Sequence, residues 1–382
     1  MKKGIVIALA VAGAMMVGGV TIGTVAACTT HFDMKDMWEA KADMKYIEKT
    51  YDITESFNDI RVEKAQIKFL PSTDGKTRVD VKENEKYYFE VGVTGDTLSI
   101  RSIDERSWAD NVGILNTWPY VTVYLPEAKY GKLSITNASD GADVDGKFGF
   151  ESVDITTSSG SIEFTSDVDG NLVLLSHSGY IKTYDVSSSG TRIEATSGSV
   201  KVNNIKTGDL SITSTSGYLS LEDAEAGDIK ISTSSGSTTV ERINAKSISA
   251  EGDSGSFKIK NADVSGDINV ARSSGSTGFE KVNAKNIYAK GTSGYVSFED
   301  TVAENVFNAE TTSGSIKLNG CDGQDMTLTG HSGYIGAELL SNKDIRSSSS
   351  SGSISLPDNG AGDINGKLDV STTSGSIRIS VK

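Results

Sequence analysis

The tetrapeptide Gly252-Asp253-Ser254-Gly255 raises the question of a serine nucleophile, because trypsin-like proteases present their active-site serine in the same four residues. Such a serine needs a histidine base within hydrogen-bond reach and a third group that orients the base. The histidines of this chain are His31, His177 and His331, and each is distant from Ser254 in the sequence. A nucleophile here would depend on a fold that brings a remote histidine to it.

Two further patterns suggest phosphate or metal chemistry. Residues 141–148 read GADVDGKF and approach a phosphate-binding loop, but Phe148 stands where a Ser or Thr would bind magnesium. Acidic and amide residues at a regular spacing are potential calcium ligands. They are Asn171, Asp209, Asp228, Asp267, Asn286, Asn305, Asp325 and Asp344. Because the sequence lacks the glycine-rich nonapeptide of calcium-binding β-rolls, we favour turn capping by these side chains.

The elements that carry these residues form an internal repeat. A glycine recurs at positions 141, 160, 179, 198, 217, 236, 255, 275, 294, 314, 333, 352 and 375. The spacing of these glycines is almost constant, except for a longer last interval between Gly352 and Gly375. Ser254 therefore has the same place as Ser216, Ser235, Ser274 and Ser313, and Ser256 stands where a protease motif needs a second glycine. The repeat assigns Ser254 to a corner of a coil.

The repeats predict the fold class. Each contains two short segments in which apolar and polar residues alternate, as in a β-strand with one buried face. Two such strands cannot bury that face alone, whereas stacked repeats can. We therefore predict an all-β chain whose residues 131–382 form a single-chain parallel β-solenoid, or β-helix, of 19–20-residue coils.

Its core should consist of aliphatic columns that run through successive coils. One column is Ile162, Ile181, Val200 and Leu219, and another is Leu172, Leu210, Ile229 and Ile248. Cys321 takes the place of Ile205 or Ile243 in a further column, which predicts a packing role rather than a reactive thiol.

The two ends of the solenoid are less regular. Residues 51–130 are predicted to form irregular N-terminal coils and a cap, with an insertion at residues 104–118 that carries Trp108 and Trp118. At the other end, Arg378 and Lys382 are expected to blunt an open edge, which otherwise allows end-to-end self-association.

The N-terminal sequence predicts that the protein is attached to a membrane. Lys2 and Lys3 precede an uncharged run at residues 4–27, long enough to cross a bilayer core of roughly 30 Å as a helix. The positive-inside rule then places the solenoid outside the cell membrane on a single-pass anchor. Alternatively, residues 1–28 are a lipoprotein signal and Cys28 is lipidated on the outer side. Residues 29–50 are predicted to be a stalk or a short amphipathic helix.

Composition and spacing argue against several functions. The formal net charge is −14, and the Lys and Arg residues are scattered singly, so nucleic acid is not an expected partner. Cys28 and Cys321 are too far apart in sequence to indicate a disulfide framework or a metal site. His177 and His331 are eight repeats apart, on the order of 40 Å at the spacing of stacked strands. We therefore expect no enzymatic activity, no cofactor and no metal.

The chain resembles the bacterial putative-adhesin β-solenoid domains, a domain-of-unknown-function family. The resemblance rests on ESFNDIRVEKAQIKFLPS, on YVTVYLPEAKYGKLSITNASDG and on repeats such as ITTSSGSIEF and SITSTSGYLSL, and it covers about residues 51–382. It implies a non-enzymatic solenoid at the cell surface with an adhesive role, often preceded by a membrane helix. The family offers no catalytic residues to transfer.

The residue after each corner glycine should point outward, and it is a tyrosine in four coils. These are Tyr180, Tyr218, Tyr295 and Tyr334, which we predict to stack on glycan rings or contact a surface protein, or else to cover the neighbouring coil. Trp108 and Trp118 form a second candidate patch. We favour an adhesin or surface-interaction scaffold. The alternatives are a structural spacer or envelope-stress regulatory partner and, less favoured, a polysaccharide-acting β-helix enzyme.

Overall fold

The computed structural model describes residues 46–106, 119–357 and 363–382. These residues form 25 β-strands and contain no helix, so no apolar helix able to cross a bilayer is found among them. Residues 4–27, Cys28, Trp108 and Trp118 lie outside the described residues, and the membrane anchor stays a prediction.

The first nine strands alternate with short turns. They are β1 Ile47–Ile53, β2 Asp59–Glu63, β3 Ile67–Pro71, β4 Thr77–Glu83, β5 Tyr87–Thr94, β6 Thr97–Asp104, β7 Val121–Leu125, β8 Lys129–Asn137 and β9 Ala142–Val144. The sixteen that follow make up the regular coils and the C-terminal end. They are β10 Gly149–Thr157, β11 Ile162–Phe164, β12 Asp167–Val168, β13 Asn171–Ser176, β14 Ile181–Ser197, β15 Val200–Ser216, β16 Tyr218–Thr233, β17 Ser237–Gly252, β18 Phe257–Arg272, β19 Thr277–Glu299, β20 Val302–Ser332, β21 Ile335–Leu339, β22 Asn342–Ser351, β23 Ile354–Ser355, β24 Ile364–Ser374 and β25 Ile377–Val381.

The chain forms two compact units. Among the described residues, the smaller one comprises residues 46–48, 82–88 and 103–106. In its described part, the Arg106 guanidinium lies 4.6 Å from the centre of the Tyr87 ring and forms a two-point ion pair with Asp104. The larger unit comprises residues 49–81, 89–102 and 119–382 and contains the solenoid.

The solenoid is built from parallel pairing between successive coils, as the repeat predicts. Ile162 pairs with Ile181, Ile181 with Val200, and Val200 with Leu219. The second predicted column is also confirmed, with Thr191 inserted between Leu172 and Leu210. These aliphatic side chains are almost completely buried, so the columns form the core. Cys321 is buried with them, and burial raises the pKa of its thiol to about 11.

Each regular coil has three inward-facing segments, where the sequence predicted two. In β15 the buried positions are Val200 and Val202, then Ile205 and Thr207, then Leu210 onward. The alternation breaks after Val202 because Asn204 adopts a positive φ of 51°. The same left-handed corner recurs at Lys64, Asp185, Asp223, Arg242, Asn261, Lys281, Asp300 and Gly320. Asn, Asp and Gly tolerate this conformation best, and most of the residues at this left-handed corner are of these three types.

The corner glycines are required by close contact between coils. At Gly255, φ is +97°, and an added Cβ would lie 1.9 Å from the carbonyl oxygen of Gly236. Gly236 makes the same contact with Gly217. A side chain at these positions would overlap backbone that cannot move away, so glycine is the residue that lets the coils stack.

At the N-terminal end of the solenoid, the coils do not stack in sequence order. Strand β2 lies between β6 and β8, because Ile60 pairs with both Leu98 and Leu133. Strand β3 likewise lies between β7 and β9, through Ile67. The coil of β2 and β3 is therefore covered by the coil of β6 and β7. Strand β4 adds to β7 in the antiparallel direction.

The C-terminal end uses the same arrangement, and it corrects the predicted edge. Strand β24 lies between β20 and β22, and β25 lies between β21 and β23. The last segment of the chain is thus inserted beneath the coil that precedes it. The expectation that Arg378 and Lys382 blunt the open edge is wrong for this reason, since the outermost strands are β22 and β23. End-to-end association stays a prediction, and these strands are the ones that would carry it.

Lys343 fixes the inserted coil in place. Its side chain is fully buried, and its ammonium group forms an ion pair with Asp322. It also donates hydrogen bonds to the carbonyl oxygens of Gly323, at 2.8 Å, and of Asn365. A buried ammonium group is tolerated only when its donors are satisfied. These three acceptors lie on β20 and β24, so Lys343 joins the outermost coil to both coils beneath it.

Candidate binding surface

The four tyrosines lie in one outward-facing column, as the sequence predicted. We call the outward side of the strand segment after each corner glycine the tyrosine face. Tyr180, Tyr218, Tyr295 and Tyr334 are each 40–45% exposed on it. Tyr218 is paired with Ser237 and Tyr295 with Ser315, so serines occupy the same column in neighbouring coils. The structure brings the tyrosines to one face, but it does not gather them into one cluster.

Tyr180 is held by charged neighbours. Its hydroxyl donates a hydrogen bond of 2.9 Å to Glu163, and the Lys182 ammonium group lies 4.3 Å from the centre of its ring. The bond to Glu163 raises the pKa of Tyr180. The ion pair with Lys182 lowers the pKa of Glu163, so the carboxylate stays ionised. The polar groups around Tyr180 therefore satisfy one another.

Shallow clefts flank the two C-terminal tyrosines of the face. One cleft of about 330 Å³ is lined by Tyr295, Gly278, Lys258 and Glu280, among others. In it the Lys258 ammonium group is neutralised by Glu280 at 2.9 Å. A second cleft, of about 370 Å³, is lined by Lys317, Asn319, Tyr334, Gly336, Glu338, Arg378 and Ser380. We call the second one the Gly336 cleft.

Ser254, the nucleophile suggested by the sequence, has a structural hydrogen bond. Its hydroxyl donates to the carbonyl oxygen of Ser234 in the coil below, at 3.3 Å. Ser235 and Ser274 make the equivalent bonds to Thr215 and Asp253, at 3.2 and 3.0 Å. The interaction is thus a repeated feature of the serine-glycine corner, in agreement with the sequence interpretation.

Arg272, which sequence reasoning missed, lies in the coil that follows the Gly252–Gly255 motif and is paired with Gly252. It is only 4% exposed, and it donates hydrogen bonds of 2.7 Å to the Thr233 hydroxyl and to the Ser254 carbonyl oxygen. Burial lowers the pKa of its guanidinium. An added Cβ at Gly252 would lie 1.9 Å from the Arg272 Nη1 atom. The sequence signal was a single Arg at an inward-facing position, opposite a glycine one coil below.

The column of Asp and Asn residues makes hydrogen bonds from coil to coil. The Asp209 carboxylate accepts a bond of 3.1 Å from the backbone N–H of Asp228, and Asp228 accepts one of 2.8 Å from the Ser247 hydroxyl. Asn286 donates to Asp267 at 2.7 Å. Among the described residues, no three His, Cys, Asp or Glu side chains converge as a metal site requires. These bonds are those expected of turn capping.

The two described histidines have unrelated surroundings. His331 lies 3.3 Å from the Thr373 hydroxyl through Nδ1, and this contact exists because the last coil is inserted next to β20. His177 is exposed at the corner that precedes Gly179. The structure places neither of them in an arrangement with a serine and a carboxylate.

The sequence model of the Toastrack DUF4097 family matches residues 58–251 and 242–382, which is most of the chain. This chain belongs to the Toastrack DUF4097 family. The two matched ranges cover the N-terminal coils, the regular coils and the inserted C-terminal coil of the Toastrack solenoid. Among curated proteins, none matches the sequence.

Solved structures with similarity to this Toastrack chain include three bacterial proteins. A putative adhesin from Bacteroides fragilis NCTC 9343 is 13% identical, with 88% of this chain and 97% of that chain covered and a TM-score of 0.29. A putative cell adhesion protein from Clostridium sporogenes ATCC 15579 has 8% identity, coverages of 88% and 100%, and a TM-score of 0.18. A putative adhesin from Parabacteroides distasonis ATCC 8503 has 13% identity, coverages of 88% and 98%, and a TM-score of 0.23. The family assignment rests on the sequence match.

Proposed function

We propose that this protein is a non-enzymatic scaffold on the outer side of the cell membrane that binds a surface ligand through the tyrosine face. The observation that carries the proposal is the register of Tyr180, Tyr218, Tyr295 and Tyr334. Four exposed aromatic rings in a single column of a repeat protein form a recurring surface rather than isolated exposed residues. The uncharged run at residues 4–27 supports a membrane anchor, and lipidation of Cys28 is the alternative attachment.

The backbone beneath these rings favours recognition of an extended ligand. Tyr218 and Tyr295 belong to strands β16 and β19, and Tyr180 and Tyr334 directly precede strands β14 and β21. The backbone at each tyrosine is therefore held by the stacked coils, so little main-chain entropy is lost when a ligand binds. Tyrosine presents a large apolar surface and a polar hydroxyl, which suits sugar rings and protein surfaces alike. Tyr180 and Tyr218 are two coils apart, as are Tyr295 and Tyr334, a separation of about 10 Å between the Cα atoms of each pair. A linear polymer can contact both members of a pair.

A spacer without an adhesive ligand is the second candidate, and the surroundings of Tyr180 favour it. There the hydroxyl is bound to Glu163 and the ring is covered on one side by Lys182. A tyrosine so occupied contributes to the packing of adjacent coils even when nothing binds. Trp108 and Trp118, the other aromatic patch predicted for binding, lie outside the described residues.

The test is replacement of all four tyrosines by serine, the residue that neighbouring coils have in the same column. Cells that display the full chain are measured for adhesion to glycan and protein arrays, and the far-ultraviolet circular dichroism of the purified full chain reports the fold. We expect adhesion to be lost with the β-sheet signal unchanged. Tyr288→Ser, on an outward position of a different strand segment, is the matched control. Adhesion that survives the quadruple replacement would favour the spacer.

A further inference from the structure

Two cations flank Gly336 on the tyrosine face. Lys317 is the direct neighbour of Gly336 on one side, and Arg378 is its neighbour on the other. Both side chains are exposed, and among the residues that the structure describes neither lies within ion-pair distance of a carboxylate. Lys182 and Lys258, on the same face, are each paired with a glutamate. Glu338 is the one carboxylate among the residues that line the Gly336 cleft, so the two cations leave the cleft with an excess of positive charge.

The glycine between the two cations leaves room for the Tyr334 ring, which lies against it and separates them. The Cα atoms of Lys317 and Arg378 are about two strand spacings apart, or roughly 10 Å. Both side chains are long enough to reach a ligand that lies on the exposed part of the Tyr334 ring. A group with two oxygens, such as a carboxylate, can accept hydrogen bonds from an ammonium and a guanidinium at once.

The Tyr334 ring forms an aromatic surface in the Gly336 cleft. Its ring lies against Gly336, where an added Cβ would be 2.6 Å from the Tyr334 Cε1 atom and 2.8 Å from its hydroxyl oxygen. The residue remains 41% exposed, so part of the ring is available to a ligand. Asn319 and Glu338 line the same cleft and offer an amide and a carboxylate to hydroxyl groups.

We infer that the Gly336 cleft binds an acidic polysaccharide, with a sugar ring stacked on Tyr334 and the carboxylate of a uronic acid held between Lys317 and Arg378. The inference rests on the proposed role of the tyrosine face and specifies its ligand class. An aromatic ring and hydroxyl-binding groups next to a cation pair fit a charged sugar better than a free anion, which needs only the cations. The net charge of −14 disfavours nucleic acid, whose charge density is higher.

The inserted C-terminal coil assembles this site. Stacking in sequence order would put Ser355 beside Gly336, because Ser355 lies one repeat length further along the chain. The insertion places Arg378 there and moves Ser355 one strand outward, where it pairs with Arg378. The second cation of the cleft is therefore a consequence of the non-sequential coil order.

The experiment measures binding of the purified full chain to a galacturonic acid oligosaccharide and to a neutral galactose oligosaccharide of equal length. The variants are Lys317→Gln, Arg378→Gln, the double variant, and Lys290→Gln as the matched control, because the Lys290 cation is already paired with Glu310 at 3.2 Å and lies on a different strand segment. We expect the double variant to bind the acidic oligosaccharide about tenfold more weakly, with a smaller loss for each single variant. Binding of Lys290→Gln should equal that of the wild type.

Three results would overturn the inference. If the double variant binds the acidic oligosaccharide as well as the wild type does, the ligand does not bind at the Gly336 cleft. If inorganic phosphate displaces the bound acidic oligosaccharide at the same concentration as free galacturonate does, the cleft is a simple anion site. Equal affinity for the neutral oligosaccharide would show that the carboxylate is not recognised. If the four-tyrosine variant keeps its adhesion as well, the proposed function fails. If the four-tyrosine variant loses adhesion while the Lys317 and Arg378 double variant keeps its binding, the proposed function stands and only the acidic ligand is wrong.

Discussion

Arg272 fills a corner column that neighbouring coils fill with threonine or glycine. In register, Thr233 is followed by Gly252, Arg272, Gly291 and Thr311. Gly252 leaves space for the guanidinium, because an added Cβ there would lie 1.9 Å from the Arg272 Nη1 atom. Gly252 gives the nearby Gly-Asp-Ser-Gly sequence its first residue, so the resemblance to a protease motif follows from the packing of a buried arginine.

A double-mutant cycle tests this coupling. Gly252→Thr alone should destabilise the protein by about 1–3 kcal/mol, because the new side chain overlaps Arg272 and also comes within 2.6 Å of the Thr233 carbonyl oxygen. Replacing Arg272 relieves the first of these two overlaps. Arg272→Thr alone should cost a similar amount, since it removes two hydrogen bonds and leaves a void. The combined variant restores a threonine column and should be more stable than the sum of the two changes predicts. Urea unfolding midpoints of the full chain measure the effect.

Simple additivity of the two changes would contradict this account of Arg272. A suitable control is Gly252→Thr combined with Thr311→Ser, because Thr311 is in the same column but two coils beyond Arg272 on the other side. That pair should show no coupling, since residues that share no partners usually act independently.

The two ends of the solenoid share an arrangement that protects the terminal strands. At each end, a coil near the chain terminus is covered by a coil that is further from that terminus in sequence: β2 and β3 are covered by β6 and β7, and β24 and β25 by β22 and β23. A terminal strand paired on both sides has its backbone N–H and C=O groups satisfied, and it cannot fray without disturbing a neighbour. Lys343 adds a buried ion pair to this arrangement at the C-terminal end.

Engineered disulfides test the order of the C-terminal coils. Glu338 is directly opposite Ser380, so Glu338→Cys with Ser380→Cys should form a disulfide under mild oxidation. Sequence-order stacking would instead put Pro357, one repeat length further along the chain, opposite Glu338. Glu338→Cys with Pro357→Cys should therefore not crosslink, because two strand spacings exceed the Cα separation that a disulfide spans. Thiol titration after oxidation distinguishes the pairs, and the reverse result would refute the inserted coil.

The regular coils were predictable from sequence because each repeats the same local rule. Apolar alternation located Ile181 and Val200 in a common column, and the glycine spacing located the corners. The left-handed corner was missed because its residues vary from Asp185 to Arg242, so no single residue type marks it. The inserted coil was missed because it depends on which strands pair, a choice that alternation does not encode. The last glycine interval, which is longer than all the others, was its one visible signal.

The charge of the whole chain sets limits on its ligands. Asp and Glu number 51 against 37 Lys and Arg, so a distant polyanion is repelled. At physiological ionic strength this repulsion is screened within about 8 Å, and the local pair of Lys317 and Arg378 then dominates at the cleft. Selectivity for a sparsely charged glycan over a dense polyanion follows from the two effects together.

The solenoid as a whole should tolerate the removal of one complete coil. Most contacts of a coil are with its two neighbours, so stability is roughly a sum of similar terms. Deleting the single coil Ser199–Gly217 places Leu219 directly on Ile181 and keeps every column in register. We expect a folded protein with a proportionally smaller β-sheet signal and a nearly unchanged urea midpoint. Deleting residues 199–208 instead should prevent folding, because half a coil moves apolar side chains to the outside.

The same deletion reports on function. It brings Tyr180 and Tyr218 into adjacent coils and leaves the pair of Tyr295 and Tyr334 unchanged. If the ligand is held at the Gly336 cleft, affinity for the acidic oligosaccharide should stay within about twofold of the wild type, since the nearest contacts are preserved. A folded deletion variant that loses this binding would show that the ligand is held mainly by the N-terminal pair of tyrosines.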